Sequence, residues 1–195
     1  MIEVEKKFAL TEDATDALLK DADFVSEKIF TDVYYDTPSF DLTRKDIWLR
    51  ARSGKWELKI ALSAANTRKS DQYRELETEK EIAEYLNLSL AASLSDALKS
   101  ARYMSFGSLT TTRKKYKNGD FVIDIDSLDF GYEIAEIELM VSDVSEIDAA
   151  TEKIISFAKE HSLPWGYTHG KVIEYLKRKA PAHFDVLVKA GVTLS

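Results

Sequence analysis

Ile134-Ala135-Glu136-Ile137-Glu138-Leu139-Met140-Val141 sets apolar residues at alternate positions with two glutamates between them. Side chains two apart on a strand point the same way, so this stretch reads as a β-strand with one apolar and one acidic face. Phe121-Val122-Ile123-Asp124-Ile125-Asp126 repeats the pattern with two aspartates. Working outward, the same period appears in Ile2 to Phe8, Ile47 to Arg52, Trp56 to Leu62, Tyr73 to Thr78 and Thr110 to Tyr116, and a β-branched and aromatic cluster runs from Phe30 to Tyr35. That makes about eight strands.

Helical spacing occupies the remainder. Glu12 to Lys20 follows a Thr11 cap, Ile82 to Ala101 is open to interruption at Ser93 and Ser95, and Glu146 to His161 carries Ile147, Ala150, Ile154, Phe157 and Ala158 on one stripe. Ser145 with Asp148 resembles a capping box. Lys171 to Lys179 precedes a break at Pro181, and a last short helix runs through Lys189 to Gly191. The alternations of strand and helix are too few for a doubly wound parallel sheet, so the expected class is α+β, an antiparallel eight-stranded barrel with helices packed outside. No repeat or Pro/Gly/Ser linker divides the 195 residues, which predicts a single domain over 1–195.

Composition removes several chemistries. The net charge of −7 argues against a general nucleic-acid field, and the absence of Cys excludes disulfides, thiolate metal sites and a cysteine nucleophile. The glycines are too scattered to build a dinucleotide or phosphate loop, and no G-x-S-x-G elbow is present. His161, His169 and His183 lack metal-ligand spacing and read as structural or exposed. Residues 1–8 lack an apolar signal core and no stretch approaches a membrane span, so the expected setting is cytoplasmic, with no membrane partner.

The second face of the strands is the informative one. Charges segregate by strand: acid pairs at Glu3/Glu5, Asp124/Asp126 and Glu136/Glu138, base pairs at Arg50/Arg52 and Arg113/Lys115. An antiparallel sheet commonly packs one face and wets the other, and that reading stands open. Like charges repeated along one face gain nothing unless neutralised, however, and helices could cover the apolar faces so that the charged faces converge. A converged interior must hold water, a cation and a polyanion, because unpaired buried ions are too costly. Arg and Lys bind phosphate oxygens while clustered carboxylates bind hard divalent cations, so the combination suits a metal–polyphosphate complex.

Glu3-Val4-Glu5-Lys6-Lys7 has the E-x-E-x-K signature of the CYTH superfamily, the triphosphate tunnel metalloenzymes. The ordered series Tyr34-Tyr35-Asp36-Thr37-Pro38, Trp48-Leu49-Arg50-Ala51-Arg52, Trp56-Glu57-Leu58-Lys59, Tyr73-Arg74-Glu75-Leu76, Thr112-Arg113-Lys114, Asp124-Ile125-Asp126, Asp129-Phe130-Gly131-Tyr132, Glu136-Ile137-Glu138 and Lys171 to Leu176 resembles its thiamine triphosphatase branch, from about residue 2 to about residue 185. The resemblance implies an eight-stranded tunnel binding a small-molecule triphosphate with Mg²⁺, or Mn²⁺, and hydrolysis of the terminal phosphate in a monomer that needs no nucleic acid. It further implies phosphate contacts from Lys7, Arg50, Arg52, Lys59, Arg113 and Lys171, and metal contacts from Asp124, Glu136 and Glu138, with Glu3 and Glu5 on the acidic side for a second metal. Glu75 matches another acidic position. Lys59 with Tyr34 is the implied pair for activating water, which a lysine does only when its pKa is lowered. Trp48 matches a tryptophan that stacks on thiamine, and an indole also fits an ordinary sheet position. The polar run Ser63 to Ser70 departs from the family pattern. Rival activities are an inorganic triphosphatase, a class IV adenylyl cyclase and a noncatalytic polyphosphate-binding module; a lipid-binding barrel would need apolar residues where the ions lie.

Overall fold

Alternation becomes strand and stripe becomes helix along most of the chain. The structure is a computed structural model that describes residues 2–62, 73–90, 92–164 and 166–195; the Ser63 to Ser70 run lies outside them. The described residues form β1 (Ile2–Ala9), α1 (Glu12–Leu19), β2 (Asp23–Asp36), β3 (Ile47–Arg52), β4 (Lys55–Ala61), β5 (Tyr73–Leu76), α2 (Glu79–Tyr85), α3 (Leu94–Ser100), β6 (Met104–Asn118), β7 (Phe121–Leu128), β8 (Tyr132–Val141), α4 (Ile147–Glu160), α5 (Lys171–Lys179) and α6 (Pro181–Lys189). The strands are hydrogen-bonded in the order β1-β8-β7-β6-β2-β3-β4-β5, so the α+β class with eight antiparallel strands is the one observed.

Local chemistry explains the boundaries. Thr11, Thr78 and Ser93 each accept a bond from the backbone N–H three residues on (Ala14, Glu81 and Asp96), which starts α1, α2 and α3. The expected Ile82 to Ala101 helix is two helices: Asn87 takes a positive φ of 54° just past α2, and Ser93 caps the start of α3. The capping box before α4 joins Asp143 and Glu146, not Ser145 and Asp148, because a 3₁₀ turn at Val144–Glu146 moves the first unpaired N–H groups upstream. Two strands outrun their sequence signal: β2 starts at Asp23 and β6 at Met104. Phe24, Val25 and Ile29 are exposed and Ser26-Glu27-Lys28 interrupts the alternation, so no apolar face marks the first half of β2. Ser53 and Gly54 both take positive φ (49° and 80°), giving the turn that joins β3 to β4 without splaying them.

The chain falls into two compact units. One holds residues 2–29 and 111–174, the other residues 30–62, 73–110 and 175–195. In the first, Val4, Phe8, Ile123, Ala135 and Ile137 from β1, β7 and β8 pack with Leu18 of α1 and Ile154 of α4. In the second, Leu49, Leu58 and Leu76 of β3 to β5 pack with Ile82, Leu94 and Leu98 of α2 and α3. Each such side chain gains about 1.5–3 kcal/mol on burial, so the apolar strand faces and the helices covering them supply the scaffold. The second unit has a polar anchor as well: His183 of α6 bonds Thr43 Oγ1 at 2.7 Å and stacks on Phe40 at 3.8 Å. A Cβ at Gly107 of β6 would stand 2.8 Å from the ring of Tyr175 in α5, so only glycine lets the two approach this closely.

Candidate active site: a charged cluster in each unit

Register assembles the first cluster. Lys7 of β1 lies opposite Glu136 of β8, Glu136 opposite Asp124 of β7, and Asp124 opposite Lys115 of β6, forming one row. Glu5 pairs with Glu138 in the next row, and Arg113 with Asp126 in another. Antiparallel neighbours have Cβ atoms about 4.5–5.5 Å apart, so these ions meet without any loop to carry them. Asp124 and Asp126 are 0% exposed, so the middle of this face is buried, while Glu3 is exposed and Lys115 partly so.

The guanidinium of Arg113 organises the carboxylates. Its Nε and Nη2 donate to Asp126 at 2.7 Å each, Nη2 also donates to Glu136 at 2.5 Å, and Nη1 donates to Asp124. Burial works to lower its pKa, but the Asp126 hydrogen bond and the charges of Glu136, Asp126 and Asp124 hold it above the ordinary arginine value. Lys115 Nζ stands 2.9 Å from Asp124 and 3.7 Å from Glu138, Lys171 Nζ stands 2.5 Å from Asp126 and 3.4 Å from Glu136, and Lys7 Nζ stands 2.5 Å from Glu5. A forked cation fits several planar acceptors at once, which a lysine could not do.

Two carboxylate triads lie here, Asp124/Glu136/Glu138 and Glu3/Glu5/Glu138, each with one oxygen per residue within 4.8 Å of the others. Glu138 belongs to both. Burial and then the charges of Glu3 and Asp124 push its pKa up to about 8, with Glu136 adding to the rise and Lys115 opposing it. Burial likewise raises Asp124, against the pull of Arg113 and Lys115. Hard oxygen donors that repel one another are the donor set a small divalent cation neutralises, so these residues fit such an ion.

The second cluster follows the same logic on β2 to β5. Register sets Asp32 opposite Arg52, Tyr34 opposite Arg50 opposite Glu57, and Trp48 opposite Lys59 opposite Glu75. Buried Asp32 grips Arg52 in bidentate fashion at 2.7 and 2.8 Å and lies 3.5 Å from Arg50 Nη1. Arg50 Nη2 is 2.6 Å from Glu57, while its buried Nε has no hydrogen-bond partner among the described residues. Burial tends to lower the Arg50 pKa, yet Tyr34, Asp32 and Glu57 raise it above the ordinary value, Tyr34 partly by a side-chain hydrogen bond. Lys59 Nζ stands 2.5 Å from Glu75 and 3.9 Å from Glu57. Trp48 is 6% exposed and donates Nε1–H to Asp46 at 2.7 Å, and Tyr73 donates to the same oxygen at 3.1 Å.

The thirteen residues expected from sequence therefore separate into two groups. Glu3, Glu5, Lys7, Arg113, Asp124, Glu136, Glu138 and Lys171 lie in the first unit; Tyr34, Trp48, Arg50, Arg52 and Lys59 lie in the second. Sequence reasoning missed Asp32, the carboxylate that both arginines of β3 approach. It sits alone in an aromatic run with no acid partner two residues away, and only the β2–β3 register connects it with Arg52.

The model of the CYTH domain matches residues 1–164. The chain is 31% identical to a human thiamine-triphosphatase over 210 residues, covering 98% of this chain and 91% of the relative. A thiamine-triphosphatase of Macaca fascicularis is 30% identical over 209 residues, with the same two coverages. A solved structure from Pyrococcus horikoshii superposes with a TM-score of 0.68 at 21% identity, covering 91% of this chain and 99% of that one, a likeness of fold. With its family signature, its eight strands and full-length relatives in accord, the chain belongs to the CYTH family.

Proposed function

We propose that the protein is a Mg²⁺-dependent triphosphatase that releases the terminal phosphate of a triphosphate, with thiamine triphosphate as its substrate. One observation carries the reading: the Asp124/Glu136/Glu138 triad shares a buried face with Arg113, Lys115 and Lys171, so sites for a cation and for phosphate oxygens belong to the same three strands and the helix start beside them. The names of the curated relatives favour the same activity.

Asp124, Glu136 and Glu138 would hold the ion, with Glu3 and Glu5 available for a second. Bound there, a divalent cation supplies charge neutralisation at the phosphoryl oxygens. Lys7, Arg113 and Lys171 in the first unit and Arg50, Arg52 and Lys59 in the second are the cations proposed for phosphate oxygens; each is already paired with a carboxylate, so an anion must compete for it. Water attacks the terminal phosphorus in line, and the diphosphate leaves. Lys59 would take a proton from a water only after passing one on, and Glu75, 2.5 Å from its Nζ, is an acceptor within reach. Tyr34, hydrogen-bonded to Arg50, orients the water. The lack of cysteine accords with a cytoplasmic setting, and no helix among the described residues is long and apolar enough to cross a membrane.

A second reading rests on Trp48. With 6% exposure and its N–H committed to Asp46, the indole offers little face to an organic head group, which favours inorganic tripolyphosphate as substrate. The deciding experiment measures phosphate release from thiamine triphosphate, tripolyphosphate and ATP with and without Mg²⁺, in native protein and Trp48→Ala. A selective loss of kcat/KM for thiamine triphosphate in the variant supports the first reading, and equal effects on both substrates support the second. Cyclic AMP from ATP, or tight Mg–tripolyphosphate binding with no phosphate released, would overturn both.

A further inference from the structure

The segment entering α5 is tied down on three sides. Tyr132 of β8 donates its hydroxyl to the carbonyl oxygen of His169 at 2.7 Å. His169 Nδ1 lies 2.9 Å from Glu174 Oε2, with 11% and 15% of the two side chains exposed. Glu174 N–H donates to Gly170 O at 3.0 Å, the first bond of the helix, which makes Gly170 the N-cap. His169 is therefore the residue before the cap and Glu174 the fourth in the helix. Those are the two positions a hydrophobic staple joins, and here a hydrogen bond between polar side chains joins them instead.

Between the two ends of this clasp sit Gly170 and Lys171. Lys171 extends to Asp126 at 2.5 Å and Glu136 at 3.4 Å. A Cβ at Gly170 would stand 3.3 Å from Lys7 Cε, so the backbone at the cap also packs along a second cation of the cluster. A nine-residue helix is too short to hold its own first turn in place, and a lysine loses rotamer freedom on being fixed. Tertiary contacts must set where the Lys171 ammonium stands.

We propose that His169 and Glu174, braced by Tyr132, are positioning residues that hold Lys171 in the carboxylate cluster in readiness for the terminal phosphates. The consequence for turnover rests on the triphosphatase reading; the placement of Lys171 does not.

Two measurements test it on the full chain. In ¹⁵N spectra of the lysine ammonium groups, His169→Ala is expected to erase the ordered Lys171 signal and spare that of Lys115; an unchanged Lys171 signal overturns the inference whether or not any triphosphate is cleaved. In steady-state phosphate release from Mg–thiamine triphosphate or Mg–tripolyphosphate, His169→Ala and Glu174→Ala should each raise KM about tenfold with kcat within about twofold, the size expected of an outer-layer partner. Glu174→Gln, which keeps an oxygen acceptor for His169, should restore most of the affinity. In a Lys171→Ala background, His169→Ala should add nothing; full additivity would mean that the clasp acts elsewhere and would overturn the proposal. Native protein inactive on every triphosphate sinks the functional reading alone, and the ammonium signal still decides the clasp.

Discussion

The two clusters are built alike and balanced differently. On β1, β6, β7 and β8, with the start of α5, six carboxylates (Glu3, Glu5, Asp124, Asp126, Glu136 and Glu138) share space with four cations (Lys7, Arg113, Lys115 and Lys171). On β2 to β5, Asp32, Glu57 and Glu75 meet Arg50, Arg52 and Lys59, and Glu77 adds a fourth carboxylate within 4.8 Å of Glu57 and Glu75, so this cluster is nearer to balance. Burial, and then the surplus of negative charge, raise the Glu138 pKa to about 8, whereas the second cluster carries a surplus of one. A cation would relieve strain in one, and an anion must break pairs in the other.

The sharpest test of this asymmetry removes the surplus. Glu136→Gln with Glu138→Gln should lower metal-dependent phosphate release by on the order of 10²–10³-fold and abolish Mg²⁺ binding by calorimetry, with circular dichroism unchanged. Retained turnover would show that the surplus has no part in the reaction. Asp32→Ala tests the side nearer to balance. It leaves buried Arg50 and part-buried Arg52 without their shared carboxylate, so stability should fall by about 3 kcal/mol in urea titration, and a loss below about 0.5 kcal/mol would mean the pair is already neutralised by Glu57 and water. Arg50→Ala should raise KM for the triphosphate about tenfold with less effect on kcat.

A smaller effect separates the units by pH. Burial lowers the His183 pKa against the pull of Asp36. The unfolded chain therefore takes up a proton near pH 6.5 that the folded one refuses, and the stabilisation is lost as pH falls from there toward the depressed folded value. Thermal melts between pH 7.5 and 5.5 should show this loss, and His183→Gln should flatten it. The smallest change expected is from Thr11→Ala, about 1 kcal/mol for a lost helix cap in the first unit.

What the sequence made legible follows the range of each interaction. The acid faces of β7 and β8 are period-2 signals within eight residues and mark the strands; the Asp124/Glu136/Glu138 set is implied by the family resemblance, and register brings the three carboxylates together. The caps at Thr11 and Ser93 are equally local. Asp32 and the Lys59–Glu75 contact depend on which strands become neighbours and at what offset, and no residue pattern within either strand encodes that. His169 read as structural or exposed because the three histidines lack metal-ligand spacing, and no pattern marks its contact with the helical glutamate five residues on. The early half of β2 escaped because an exposed strand need not alternate.

Glu138 has one further consequence. Its raised pKa favours the neutral acid, and an ion seated among Glu138, Asp124 and Glu136 would require the anion. Loading should therefore expel protons into solution, so that the heat of binding tracks the ionisation enthalpy of whichever buffer absorbs them.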